Sequence, residues 1–508
     1  MNRCDRRTRS LPAIVDDLGY FDDETCRLEP IQNPFGPKAL PIIARGVPTE
    51  NVVVAATGRH TAVATVAEKG LRTTTCSRSK PLTPPCAIPD TVRAVEGLVQ
   101  RVKLLALTVI AASAVAAFGQ TPATGVTVFE GARVIVGDAR PPIENASFIV
   151  NGARFTQVGR AADVRAPAGA THVNLAGKTV MPVIIDTHTH LSQTREMLID
   201  DLRRRAYFGV GAALSLGQDT TDASFQVRAQ TMPGLARFFT AGRGITAPEP
   251  GRTTAPYWVT TTAEARKAVQ ENAAKKVDII KIWVDDRMGT VKKLSPELYA
   301  AVIDEAHKNG LRVIAHIYTL EDAKATLRAG VDAFAHGVRD KDLDDEYMAL
   351  VKQHPNLVLG PNMPDRGVAA NIEWLRRTLS ATDFETLQKG NTNRPDAQAF
   401  WEIQARNLAK MNAAGVRIVV GTDGNTPYAP HFEMADMVAA GMRATQVIVA
   451  ATSNGAQFLR MSNTGTIEPN NSADFIVVDA NPLDDMTNTR KISSVYLRGA
   501  SVDRSSYK

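Results

Sequence analysis

In the stretch VMPVIIDTHTHL, residues 180–191, an apolar run ends on two histidines one residue apart, His188 and His190. Side chains alternate faces along a strand, so residues i and i+2 share one and these two imidazoles aim at a single point. Neutral imidazoles gathered at one point are ligands for a metal ion. A solvated strand end is the competing reading, and the rest of the chain has to decide.

Lys281 is the second anomaly. The run DIIKIWV would bury its ammonium in an apolar strand, at a cost on the order of several kcal/mol unless it is paired or neutralised. A lysine so placed has a lowered pKa, and its free amine can take up carbon dioxide to give a carbamate, an anion able to bridge two metal ions. Snorkelling, or a salt bridge to Asp278 or Asp285, is the alternative. Asp423, in VVGTDGN, follows a wholly apolar run, where a carboxylate needs a metal or a cation. His316 (LRVIAHIY) and His336 (VDAFAHGV) end two further runs, one helix-plus-strand unit apart. His172, His307 and His354 read as hydrogen-bonded structural histidines. His431, in GNTPYAPHFE, either touches substrate or caps Glu433.

These residues need elements to position them. Eight apolar runs alternate with helical stretches: VMPVIIDTHTH, GVGAALSLG, ARFFTAGRG, DIIKIWV, LRVIAHIY, VDAFAHGV, NLVLGPN and VRIVVGTD. Helix starts at Ser295-Pro296 and Thr319, with glycine stops, punctuate them. Eight such units predict an α/β fold, a (β/α)8 TIM-like barrel whose strand ends carry the chemistry. An open doubly wound sheet is the runner-up, disfavoured by the lack of a Gly-rich phosphate turn after the first strand. Short β-rich runs before and after (GVTVFEGARVIVG, ENASFIVNGARFTQVG, THVNLAGKTV; TGTIEPNNSADFIVVDANP, ISSVYLRGASVD) predict one small β-sandwich built from both ends of the mature chain.

Taken in order and spacing, DTHTH, IIKI, IAH, AHG and GTDGN resemble the metal-dependent amidohydrolase superfamily, in particular its imidazolonepropionase-like and prolidase-like branch, over roughly residues 125–503. The resemblance implies two divalent ions, most often zinc. His188, His190 and Asp423 would hold the more buried ion and His316 and His336 the other, with carboxylated Lys281 bridging them. Some members with these motifs hold a single ion. Two departures stand out: Val183 replaces the usual glycine after Met-Pro, and FAHG lacks the acidic residue that commonly precedes the histidine.

The implied chemistry is hydrolysis of a C–N bond, in an amide, cyclic amide or small peptide, by hydroxide from a water bridging the ions, with Asp423 as general base. Tyr318, Arg287 and Arg339, each just beyond a strand carrying a ligand, are candidate substrate contacts. The same site could cleave an ester, lactone or phosphotriester, or the protein could bind metal without turnover. The intact ligand set argues against the last.

The 508 residues are 44% hydrophobic, ample for a large core, and the net charge of +6 sits mainly in the first hundred residues. With no basic run in the body, nucleic acid is not an expected partner; a small-molecule substrate is, and self-association stays open. Cys4, Cys26, Cys76 and Cys86 all precede residue 97, so the body has no thiolate chemistry. From Leu98, LVQRVKLLALTVIAASAVAAFGQTPA reads as a secretory signal peptide with Arg101 and Lys103 in its basic region, too short for a stable membrane anchor. Cleavage before Gln120, or after Ala116, gives a periplasmic or secreted protein. The expected plan is an extension over 1–97, a signal peptide over 98–119, a composite β-domain from 120–180 with 464–508, and a barrel over 181–463. The expectation for 1–97 is a non-native stretch preceding a true start near Leu98 or Val99; a real, poorly ordered extension is the alternative.

Overall fold

The structure, a computed structural model, describes residues 20–22, 27–29 and 125–505. The signal peptide, the four cysteines and most of the extension lie outside the described residues. Within residues 1–118, β1 (Tyr20–Asp22) and β2 (Arg27–Glu29) pair antiparallel.

Residues 119–508 form a second compact unit. It opens with β3 (Val126–Val134), β4 (Ile143–Asn151), β5 (Arg154–Arg160), β6 (Thr171–Asn174) and β7 (Thr179–Pro182). Next come β8 (Ile184–Thr189), β9 (Val210–Ser215) and β10 (Arg237–Thr240). β11 (Ile245–Thr246), β12 (Tyr257–Trp258), β13 (Ile280–Val284), β14 (Val313–Ile317), β15 (Ala333–Phe334), β16 (Val358–Leu359) and β17 (Arg417–Ile418) follow. β18 (Phe475–Val478), β19 (Ile492–Leu497) and β20 (Ala500–Ser501) close the chain.

Strands from the two ends of this unit share one mixed sheet, ordered β20-β19-β18-β7-β3-β4-β5, with β6 branching from β3. Its core is aromatic: Phe129 stacks on Phe148 at 4.8 Å between centroids and Phe475 on Tyr496 at 4.5 Å, an interlocking set that favours offset and edge contacts. The run 179–189 is two strands, not one: β7 pairs antiparallel with β18, and the chain crosses at Val183 into β8, which pairs parallel with β9. Val183 is buried against Gly211, where a Cβ would collide with its side chain. The bulk gained at Val183 is thus matched by bulk missing from the neighbouring strand.

All eight runs expected between the terminal strands contain a strand. They fall into two parallel sheets, β10-β9-β8 and β12-β11-β13-β14-β15-β16-β17. Backbone hydrogen bonds connect the two sheets: Asp278 N, just before β13, to Thr240 O of β10 (2.9 Å), and, beside β8 and β17, Thr187 N to Val420 O (2.8 Å) and Thr422 N to His188 O (3.0 Å). Helices connect most of the parallel strands, for local reasons. Pro296 occupies the first turn of helix Pro296–Lys308, Thr319 caps Leu320–Arg328 through Asp322 N, and Thr261 and Glu264 form a capping box on Thr262–Ala274. Among the described residues no helix is long and apolar enough to cross a membrane.

Candidate metal centre

His188 lies on β8 and His190 just past it, Lys281 on β13, His316 on β14, His336 two residues past β15, and Asp423 in the turn after β17. Apart from Lys281, which is the second residue of β13, these positions lie at or beyond the C-terminal ends of their strands, and the side chains converge. His190 Nε2 and His188 Nε2 each lie 2.9 Å from Asp423 Oδ1, and Lys281 Nζ lies 3.3 Å from His188 Nε2. His336 Nε2 is 3.5 Å from Asp423 Oδ2. Ring centroids of His188 and His336 are 5.1 Å apart, and those of His336 and His316 4.5 Å, so the four imidazoles form one continuous row.

Burial sets the charge state of three histidines in this row. It pulls His188 down to about 3, with the Lys281 charge adding to the effect, and His316 down to about 4. His336 falls well below the ordinary range through burial and then the nearby Arg339. Burial pushes the Asp423 carboxyl up, but electrostatic attraction to the His188 and His336 rings and hydrogen bonds from His188 and His190 outweigh it and leave it well below the carboxylate range. Neutral imidazoles facing an ionised carboxylate are the protonation states that a divalent ion requires. Two buried ring atoms, His336 Nε2 and His190 Nδ1, lack a hydrogen-bond partner among the described residues. His188, His336 and Asp423 each offer an atom within 4.8 Å of the others. The donor set therefore fits metal ions, and the unmet polar atoms give it a physical reason to hold them.

Both acids named as salt-bridge partners for Lys281 have other partners. Asp278 is held by Arg228 at 2.5 Å, and Asp285 by His316 and Arg287, both at 3.0 Å. Lys281 is buried beneath Trp283, whose ring centroid lies 5.1 Å from Nζ and whose indole occupies space that a Cβ at Gly217 or Gly244 would fill.

Supporting contacts were not all anticipated. Asn362, at the end of the seventh run, reaches His188 Nδ1 at 2.5 Å. Gly421 lets it do so, since a Cβ there would meet both Asn362 Oδ1 and His188 Cβ. Asp285 accepts from His316 Nε2, a carboxylate–histidine pair that fixes the ring orientation. Asp186, pushed up to about 6 by burial, accepts the Thr422 hydroxyl at 2.7 Å. Buried Arg205 donates to Gly424 O and Asn425 Oδ1, both at 3.1 Å, and Asp201 accepts from Asn425 at 3.0 Å and from Ser192 N at 2.9 Å. Helix Arg195–Tyr207 thereby braces the turn holding Asp423, which sits at φ +53°, a strained value for a non-glycine residue.

Among the candidate substrate contacts, Arg339 donates to His336 Nδ1 at 2.8 Å, Arg287 pairs with Asp285, and Tyr318 is half-buried with its backbone carbonyl bonded to Arg339 N. His431 does not belong with them. It is fully buried, with Nδ1 on the Thr489 hydroxyl (3.0 Å) and Nε2 on Phe208 O (2.9 Å), and caps no glutamate; Glu433 instead accepts from Met363 N. His172, His307 and His354 pair with Glu130, Asp332 and Leu350 O, as structural histidines do. Beside the cluster lies a cavity of about 890 Å³, walled by residues 363–394, 422–436 and 487–491. None of Tyr318, Arg287, Arg339 and His431 lines it. Thr422 and Met363, neighbours of Asp423 and Asn362, do.

Parallel strands bring imidazoles, a lysine and a carboxylate together at one point, a candidate metal site in an α/β framework. The amidohydrolase family model matches residues 179–502, and the chain belongs to that family; it is a hydrolase acting on C–N bonds. It is 26% identical to imidazolonepropionase of Deinococcus radiodurans over 384 residues, covering 70% of this chain and 92% of that one. With enamidase of Eubacterium barkeri it shares 24% over 365 residues, 68% of this chain and 85% of that one. A Bifidobacterium longum protein solved as a candidate prolidase superposes with a TM-score of 0.63 at 28% identity, covering 76% of this chain and 96% of that one.

Proposed function

We propose that this protein is a secreted, binuclear metal amidohydrolase that cleaves small peptides, N-acyl amino acids or related amides. The observation that carries the reading is the meeting of His188, His190 and Asp423 around one point with the buried Lys281 amine 3.3 Å from His188. On this reading the two linked parallel sheets are one (β/α)8 barrel over 181–463. The sheet folded around Phe129 and Phe475 is then the β-sandwich of 120–180 and 464–508, preceded by the signal peptide of 98–119.

His188, His190 and Asp423 would hold one ion and His316 and His336 the other, probed first as zinc, with Lys281 as a carbamate between them. Bound there, such ions supply Lewis acidity for the scissile carbonyl and make a water acidic enough to yield hydroxide near neutral pH. Asp423 accepts the proton of the attacking water and delivers it to the departing amine nitrogen, as its ionised state allows. Asp285 and Asn362 hold the His316 and His188 rings in place, and Arg205 and Asp186 keep the Asp423 turn fixed while the proton moves. Arg339 and Arg287 touch the row through His336 and Asp285, and with Tyr318 they would meet a substrate group held over the histidines.

A panel of dipeptides, N-acyl amino acids, aryl esters and a phosphotriester, assayed with and without chelator, tests the proposal. Chelator-sensitive cleavage of the amides is expected. Cleavage confined to esters or phosphotriesters, or none at all, would remove the amidase reading.

A further inference from the structure

The cavity beside the cluster has a wall that the hydrolytic chemistry does not use. Trp374, Tyr428 and Phe432 form an aromatic face, with centroids 6.1 to 6.2 Å apart. The Arg490 guanidinium lies against it, 4.5 Å from the Phe432 centroid and 5.5 Å from that of Trp374. This arginine comes from the short helix Met486–Arg490, far along the chain from the strand ends.

Arg490 is under-satisfied. Its hydrogen bonds are two long ones of 3.4 Å, to Asn371 O and His431 O, and its buried Nε has no partner among the described residues. A half-buried guanidinium with five donors normally finds a carboxylate, and stacking on aromatic faces leaves its edge free to do so. The acids in its electrical reach are Asp436 and Asp485. Asp485 is occupied at Thr487 N, and burial pushes the Asp436 carboxyl up to about 7, making it a weak counterion at neutral pH.

The lining as a whole is cationic. Arg394 is ion-paired with Asp365, which leaves Arg366, Arg490 and Lys491 beside Glu433 and Asp436, two carboxyls that burial pushes up toward their neutral forms. Such a lining suits an anionic group. The volume, about 890 Å³, exceeds what one amino acid fills and accommodates a bulky second group.

We propose that Arg490 is the carboxylate anchor of a substrate subsite, so that the enzyme selects amides carrying a free carboxylate and an aromatic group, of the N-aroyl amino acid or aryl-dipeptide class. This rests on the amidohydrolase reading of the neighbouring centre, through Thr422, which lines the cavity next to Asp423. Arg490 binds the carboxylate edge-on, and the Trp374–Tyr428–Phe432 face packs the ring.

Binding separates this inference from turnover. Dissociation constants for N-benzoyl-phenylalanine and its primary carboxamide are measured by calorimetry on metal-loaded full-length protein carrying Asp423→Asn. The acid is expected to bind at least about tenfold more tightly than the carboxamide, and Arg490→Gln to bring the ratio close to one. Arg490→Lys, which keeps the charge and most of the packing, is expected to retain part of the preference and guards against a folding defect. Equal affinities in the Arg490-containing protein, a ratio unchanged in Arg490→Gln, or no binding of the acid would overturn the proposal. Loss of amide hydrolysis across the wild-type panel with the binding preference intact would instead strike the hydrolase reading and leave the anchor standing.

Discussion

The histidine row and the cavity beside it meet at Thr422 and Met363, yet they are built in opposite ways. Nearly every group of the row stands on a strand or within a few residues of its end, is buried, and is held by a second polar contact. The cavity wall comes from irregular segments and short helices drawn from three stretches between residues 363 and 491, and its aromatic groups are only half-buried. The difference separates two tasks. Chemistry needs fixed distances, which a pleated strand with period two supplies; selection needs a shaped surface, which connecting segments supply and can vary without moving the strands.

If the row carries the chemistry, the largest effect belongs to Asp423→Asn. Turnover should fall about 10²- to 10⁴-fold with most of the metal retained, by steady-state kinetics beside elemental analysis. Near wild-type kcat would take the proton-transfer role away from this residue. Asn362→Ala touches the row only through His188 and should weaken metal affinity about 10- to 100-fold in chelator competition. An unchanged affinity would mean that the 2.5 Å contact does not hold the ring.

The cavity should answer in a different parameter. Phe432→Ala is expected to raise KM for an aromatic amide about three- to tenfold with kcat little altered. A drop in kcat alone would erase the division between the two regions.

The smallest effect is a pH dependence of stability. Burial pushes the Asp436 carboxyl up from 3.8 to about 7, so the fold prefers its protonated form. The stability this lends is complete below about pH 4 and is lost as pH rises through about 7. Asp436→Asn should therefore gain on wild type as pH increases, by about 2 °C in Tm between pH 5 and pH 8. A constant gap would show that the carboxyl titrates normally.

The same division explains what the sequence made legible. His188 and His190 declare themselves because two residues is the strand repeat, and Lys281 because an ammonium is conspicuous among isoleucines. The eight runs mark their strands for the same reason. Asn362 and Asp285 were within reach of the rule that singled out the histidines, since each also ends or follows an apolar run; as common polar residues they give no signal of their own. Arg205 reads as one more basic residue of an amphipathic helix, and only the fold brings it to Asn425, 220 positions away. His431 shows the converse. Its neighbours in sequence face the cavity, while its ring turns inward to Thr489 and Phe208, a choice made by packing between distant segments. The split of 179–189 into two strands was equally hidden, because both halves are apolar and only their partners differ.

The central claim is that Lys281 and the histidine row together hold metal, and metal content per chain tests it most directly. Protein starting at Gln120, expressed with zinc and bicarbonate and analysed beside a Lys281→Ala control, should carry two ions per chain, with fewer in the control. A wild-type protein without bound metal under these conditions would contradict the account and return the four imidazoles to a structural role.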